Sequence, residues 1–380
     1  MRALYTAAIG KGCILLIVLL ASTALFLAFS NGANDNFKGF ATVWGSASLS
    51  YRSALILATV ATILGGLASI LIADTLVQQF SGKGLVHDEL ASAPSFALAV
   101  GGGAACTVML ATRLGFPIST THALVGGLIG AGLASSSGSL DFGNLGSKFL
   151  LPLLTSPFLS AFMAFGAYLI LRRARPKPTE KDCICLVDAQ PIPAGDIRFV
   201  ARIHAECKAP HLVVETEEVC DAGAEPVART SFTRLLDGLH LFSASTICFA
   251  RGVNDAPKLA ALLIGANLFS GTAAAVAVTA AMALGGWLLS RRVAETMSLK
   301  INHLDTSQGI SANLITASLV LFASRLGLPV STTHVSVGSI IGTGAAGGTL
   351  DLSVVRNVLL SWVATLPIAA GIAFAIGLLA

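Results

Sequence analysis

The sequence predicts an all-α polytopic membrane protein built from two inverted-topology repeats with discontinuous helices. Three observations predict it. Of 380 residues, 54% are hydrophobic and only 12% charged, with a mean hydropathy of +0.79, whereas a soluble domain carries roughly 25% charged residues. Six apolar runs, at 13–29, 54–73, 96–111, 145–171, 272–289 and 354–380, approach or exceed the ~20 residues that span hydrocarbon. Two motifs each occur twice, in the same order, on either side of a charged central segment. A transmembrane barrel needs short alternating strands instead, and no such alternation is present.

Taken in order, the run 13–29 has the length of a signal-peptide core. No small-residue cleavage site precedes a soluble domain, so it reads as the first membrane helix. Residues 1–171 form the first membrane repeat, 172–230 a hydrophilic segment, and 231–380 the second repeat. The short segments 36–48 and 256–270 leave the count at ten to twelve membrane segments. The central segment holds 19 of the chain's 44 charged residues and four of its seven Cys. Its basic start, Arg172-Arg173-Ala174-Arg175-Pro176-Lys177, places it in the cytoplasm. The loop near 291–306 is basic through Arg291, Arg292 and Lys300. Its counterpart near 75–93 sets Lys83 against Asp74, Asp88 and Glu89, and reads as external. Equivalent loops on opposite sides imply inverted repeats with an odd number of crossings each. Five per half satisfies this with both termini outside, although Arg2 and Lys11 pull the other way. The net charge of +4 records loop residues, so no nucleic-acid partner is inferred.

The first motif is Gly32-Ala33-Asn34-Asp35 with Lys38, which returns as Gly252-Val253-Asn254-Asp255 with Lys258. A carboxylate in a membrane costs several kcal/mol and marks function by default. The glycines would let the helix unwind, so that Asn34, Asn254, Asp35 and Asp255 could hold a small cation or relay a proton. The alternative is a structural pair, Asp35 with Lys38 and Asp255 with Lys258, at a spacing helices allow.

The second motif is Pro117-Ile118-Ser119-Thr120-Thr121-His122, which returns as Pro329-Val330-Ser331-Thr332-Thr333-His334. Pro suits a helix's first turn and Ser or Thr caps its free N–H groups. A helix start attracts an oxyanion. Three hydroxyls and an imidazole in each copy add donors without buried cations. The alternative is plain capping, with Gly126, Gly130, Gly338 and Gly342 serving helix packing. His122 and His334 read as proton carriers, phosphate donors or packed neutral side chains.

In the central segment Cys183, Cys185, His204, Cys207, His211 and Cys220 fit no common zinc template. They read as reduced thiols, with a metal left unassigned. Gly101-Gly102-Gly103 sits in an apolar run and reads as helix packing. The chain has no nucleotide loop and no nucleophile–base signature, so no enzymatic activity is expected.

At the four motif copies the chain resembles the PiT family of inorganic phosphate transporters, marked by Gly-Ala-Asn-Asp-like and Pro-x-Ser-x-Thr-His-like motifs in each half. The resemblance covers both membrane halves. It implies a multi-pass secondary transporter of the plasma membrane, dimeric, with no cofactor, that moves phosphate with Na⁺ or H⁺. The motif Asn, Asp, Ser and Thr residues would form the site between the halves. Some relatives carry sulfate, so a sulfate or other oxyanion permease is an alternative, and an anion channel is another. Lys38 and Lys258 stand where the family's motif usually has its second Asn. An ammonium there would repel Na⁺ and could act as a tethered cation, which favours H⁺ as the coupling ion. The rival reading is that both lysines snorkel to the interface.

Overall fold

Five long helices precede the central segment and five follow it. In the computed structural model, which describes residues 2–72, 74–82, 84–135, 140–174, 183–187, 211–215, 228–265, 268–300 and 304–379, they are α1 (Arg2–Asp35), α2 (Tyr51–Ile72), α3 (Pro94–Leu114), α4 (Thr120–Ala134), α5 (Leu151–Ala174), α6 (Phe232–Gly265), α7 (Gly271–Leu289), α8 (Thr306–Arg325), α9 (Thr332–Gly347) and α10 (Leu352–Leu379). Among the described residues, seven stretches are long and apolar enough to cross a membrane; they fall in α1, α2, α3, α5, α7, α8 and α10. Helices α4 and α9, at 15 and 16 residues, are too short to span and are buried along most of their length. Helix α6 is long enough but carries Arg251, Asp255 and Lys258 in its buried stretch.

Local chemistry sets the helix ends. Pro94 opens α3, and Gly115, at φ +78°, closes it in the left-handed conformation that glycine adopts without strain. Ser119 and Ser331 cap α4 and α9 by accepting from the backbone N–H of His122 and His334. Asp305 and Gln308 form a capping box at the start of α8.

Every strong helix pairing has a counterpart when the halves are exchanged. Helix α1 packs on α7 as α6 packs on α2; α1 lies beside α3 as α6 lies beside α8; α4 packs on α10 as α9 packs on α5. Through these pairings each half packs four of its five long helices against the other half. Glycines make these crossings. A Cβ on Gly65 would strike the Phe249 carbonyl, and one on the equivalent Gly285 would strike the Phe29 carbonyl. Gly32 and Gly252 sit in the same crossings, against Met282 and Thr62.

That packing corrects one expectation. The backbone does not unwind at Gly32 or Gly252; both lie inside continuous helix. The neighbouring helix closes on the glycine, leaving no room for a group that could take over the broken backbone bonds. The first half breaks three residues later instead. Helix α1 ends at Asp35, and residues 36–40 turn into a short helix, Ala41–Gly45. In the second half α6 runs on through Pro257.

The central segment adds a small antiparallel sheet, ordered β2-β1-β3, from β1 (Cys183–Val187), β2 (His211–Glu215) and β3 (Ala228–Ser231). Cys183 is buried. His204, Cys207 and Cys220 lie outside the described residues, and Cys185 and His211 are described in backbone only.

Gly65→Ala and Gly285→Ala should each destabilise the protein by about 1–3 kcal/mol, because the added methyl meets a backbone carbonyl rather than a yielding side chain. Gly371→Ala, whose Cβ meets nothing within 4 Å, should unfold like the native protein. Thermal unfolding in detergent checks this; equal midpoints for all three would show that the crossings are loose.

Candidate functional site

The second motif starts α4 and α9 inside the protein, where the two helix N-termini meet across the exchange axis. The Thr121 hydroxyl donates to the Val330 carbonyl at 3.3 Å, and Thr333 donates to the Ile118 carbonyl at 2.8 Å. Each threonine thus bonds the chain that leads into the other half's helix.

The first motif brings its lysines to the same two spots. Lys38 donates to the Ile118 carbonyl at 3.0 Å and to the Thr333 hydroxyl. Lys258 donates to the Val330 carbonyl at 2.7 Å and to the Thr121 hydroxyl at 3.0 Å. Each ammonium therefore joins a carbonyl of its own half to a hydroxyl of the other. Neither lysine snorkels; both are at most 3% exposed. Lys258 also stands 5.6 Å from the centre of the Phe80 ring, a distance at which the ring face attracts a cation.

The carboxylates lie between them. Asp35 pairs directly with Lys38. Asp255 has Arg251 at 3.6 Å and Lys258 at 3.8 Å. The Asn31 amide nitrogen lies 3.3 Å from both Asp35 and Asp255 and 3.0 Å from the Thr120 hydroxyl. The two carboxylates thus face each other across one amide. All of these side chains are buried.

The motif asparagines are braces. Asn34 donates to Thr112 and to the Phe116 carbonyl, both at 3.0 Å, and accepts from the Ile118 N–H. Asn254 accepts from Ser324 at 3.0 Å and reaches Asp255 and the Val330 carbonyl. Each ties the end of its motif to the third helix of its own half. Ser119 and Ser331 are occupied as helix caps, and Thr332 lies buried in the first turn of α9, where Thr120 lies in α4.

The imidazoles turn away from the charges. The rings of His122 and His334 contact each other at 4.4 Å, and His334 stacks on Trp362 at 3.9 Å. They face an apolar cavity of ≈ 420 Å³ between α5 and α10. Among the described hydrogen bonds, none joins either ring to the Asp or Lys side chains.

Arg251 is the main residue that the sequence reading missed. It is 1% exposed and donates to Asn36 at 3.2 Å and to Asn31 at 3.4 Å. Aligning the two motif copies places it opposite Asn31; an arginine in a buried helix was the available signal. With it, the centre holds two carboxylates and three cations, a formal sum of +1.

The sequence profile of the phosphate transporter family matches residues 31–373. The inorganic phosphate transporter 2-1, chloroplastic, of Arabidopsis thaliana is 27% identical, covering 97% of this chain and 74% of its own length. The probable low-affinity inorganic phosphate transporter of Mycobacterium bovis is 26% identical, covering 93% of this chain and 75% of its own length. A solved structure described as the sodium-dependent phosphate transporter matches with a TM-score of 0.74 at 22% identity, covering 96% of this chain and 98% of that one. At that identity the likeness is one of fold.

A buried ion pair that loses one partner destabilises a protein by about 3–5 kcal/mol, whereas removing both partners can be nearly neutral. Lys38→Met should therefore lower the unfolding midpoint in detergent markedly, and adding Asp35→Asn should restore most of the loss. Strictly additive losses would show that the pair is not coupled.

Proposed function

The chain belongs to the phosphate transporter family, and on that premise we propose that it carries inorganic phosphate by proton-coupled symport without sodium. The relatives are transporters, not enzymes. The observation that carries the proposal is the formal +1 of the buried centre. An isolated buried charge is costly. Dihydrogen phosphate brings the sum to zero. So does hydrogen phosphate with one proton held by the Asp35–Lys38 pair. Sulfate, a dianion, would leave an excess negative charge unless a proton came with it. Sodium is disfavoured by geometry, since the two ammonium groups already lie beside the carboxylates that would ligate it.

Thr121 and Thr333 are the hydroxyls placed to take the oxyanion. Each sits at a helix start and beside a lysine, so phosphate could replace the cross-half carbonyl as its partner. Thr120, Ser119, Thr332 and Ser331 frame the two helix starts. Burial of the whole centre favours a carrier that opens to one side at a time over a channel. The duplicated motifs and the loop charges support repeats of opposite orientation, residues 1–171 and 231–380, with 172–230 on the cytoplasmic side. A plasma-membrane homodimer rests on the family resemblance.

Labelled phosphate uptake into proteoliposomes should persist when choline replaces Na⁺ at fixed pH and should follow an imposed pH gradient. Strict Na⁺ dependence would end the proposal. Lys38→Asn combined with Lys258→Asn should impair uptake or make it respond to Na⁺.

Each hydrogen bond to a charged ligand contributes about 1.5–3 kcal/mol, so Thr121→Val and Thr333→Val should each raise the half-saturation concentration about tenfold or more. Unchanged values in both would show that these hydroxyls only lock the helix starts together.

A further inference from the structure

The two halves agree in fold but not in what lines the two sides of the centre. On one side His240, at 0% exposure, has its Nε2 2.9 Å from the Thr42 hydroxyl. Asn313 donates to Thr42 and to Ser243, both at 3.1 Å. Thr316, one turn further along α8, donates to Ser339 of α9 at 3.0 Å. A methyl on Gly309, in the first turn of α8, would meet the His240 ring. Among the described residues, the buried Nδ1 of His240 has no hydrogen-bond partner.

The motif offsets, 220 for the first and 212 for the second, identify the equivalent residues on the other side. His240, Ser243, Thr42 and Asn313 correspond to Leu20, Thr23, Leu262 and Gly101. These also pack together: a Cβ on Gly101 would lie 3.2 Å from Leu262 and 3.3 Å from Thr23. The same spot is thus a hydrogen-bonded chain with an imidazole on one side and a leucine plug on the other. Simple packing does not need this difference, because two leucines and a glycine already fill the equivalent space.

We infer that His240 is a proton relay, taking the co-transported proton from the charged centre to the membrane face where α6 begins. This rests on the proton-symport reading above. Lys38, paired with Asp35, lies one turn of chain before Thr42. The Thr42 oxygen accepts the proton from the pair and passes its own hydroxyl proton to His240 Nε2. The imidazolium then passes its Nδ1 proton to the Asp305 carboxylate, which releases it at that face. The ionisable group closest along α8 is Asp305, its N-cap carboxylate, one turn before the Gly309 that lies against the ring. The short helix Ala41–Gly45 has none, α2 has only Tyr51 and Arg52 in its first turn, and α8 has Arg325 at its far end. On α6 itself Arg234 and Asp237 precede the ring, and Cys248 and Arg251 follow it. Loss of the proton leaves hydrogen phosphate in a centre whose total is −1, which expels it on the side that received the proton.

The test separates net transport from exchange in proteoliposomes holding a pH-sensitive dye. Equilibrium exchange of labelled phosphate needs no net proton movement, and it reports folding and binding. His240→Gln should keep native exchange while phosphate-driven acidification of the lumen falls about a hundredfold or more, the scale of a lost proton-transfer group. Thr42→Val, which removes the hydroxyl and keeps the shape, should show the same split and serves if His240→Gln fails to fold. Native acidification in either folded variant overturns the relay alone. A native protein that takes up phosphate without acidifying the lumen overturns proton symport and the relay with it.

Discussion

The structure depends on a crossed hydrogen bond. Each motif lysine joins a carbonyl of its own half to a threonine hydroxyl of the other, Lys38 through Ile118 and Thr333, Lys258 through Val330 and Thr121. Much else follows from that requirement. Helices α1 and α6 must come close enough to the second motif of both halves, so glycines replace side chains where they cross α7 and α2. Helices α4 and α9 must start inside the protein, so they are short and are covered by α10 and α5. The ammonium groups can stay buried because each has a carboxylate and two oxygen acceptors.

Much of this arrangement was legible in the sequence. Asp35, Asp255, Lys38 and Lys258 are conspicuous because charge in an apolar helix is expensive, and duplication made a shared site the natural reading. The helix starts at Ser119 and Ser331 follow from Pro and Ser in the right order. Other features have two physical explanations that one sequence cannot separate. A glycine before Asn-Asp can release a helix or admit another one, and here Gly32 and Gly252 admit Met282 and Thr62. A histidine in a helix's first turn can face inwards or outwards, and His122 and His334 face α5 and α10. The sheet of the central segment was hidden because its strands are only four or five residues long and lie among many charges.

Arg251 and His240 escaped notice for another reason. A search for what two halves share passes over the positions where they differ. Arg251 stands opposite Asn31, and His240 opposite Leu20. The shared residues build the fold and the crossed bonds, and symmetry alone gives them no direction. Any difference between the two faces of the centre must come from unlike pairs such as these.

Charge gives the unlike pairs their consequence. With Asn31 on one side and Arg251 on the other, the centre totals +1 rather than zero. Dihydrogen phosphate, or hydrogen phosphate with one proton on the Asp35–Lys38 pair, closes in a neutral centre, and hydrogen phosphate without that proton does not. Burial makes that distinction large, because a low-dielectric interior screens charge weakly. The hydrogen-bonded chain at His240 then decides on which side the proton is lost. On this reading an arginine sets which protonation state can be carried, and a histidine earlier on the same helix sets where it is released.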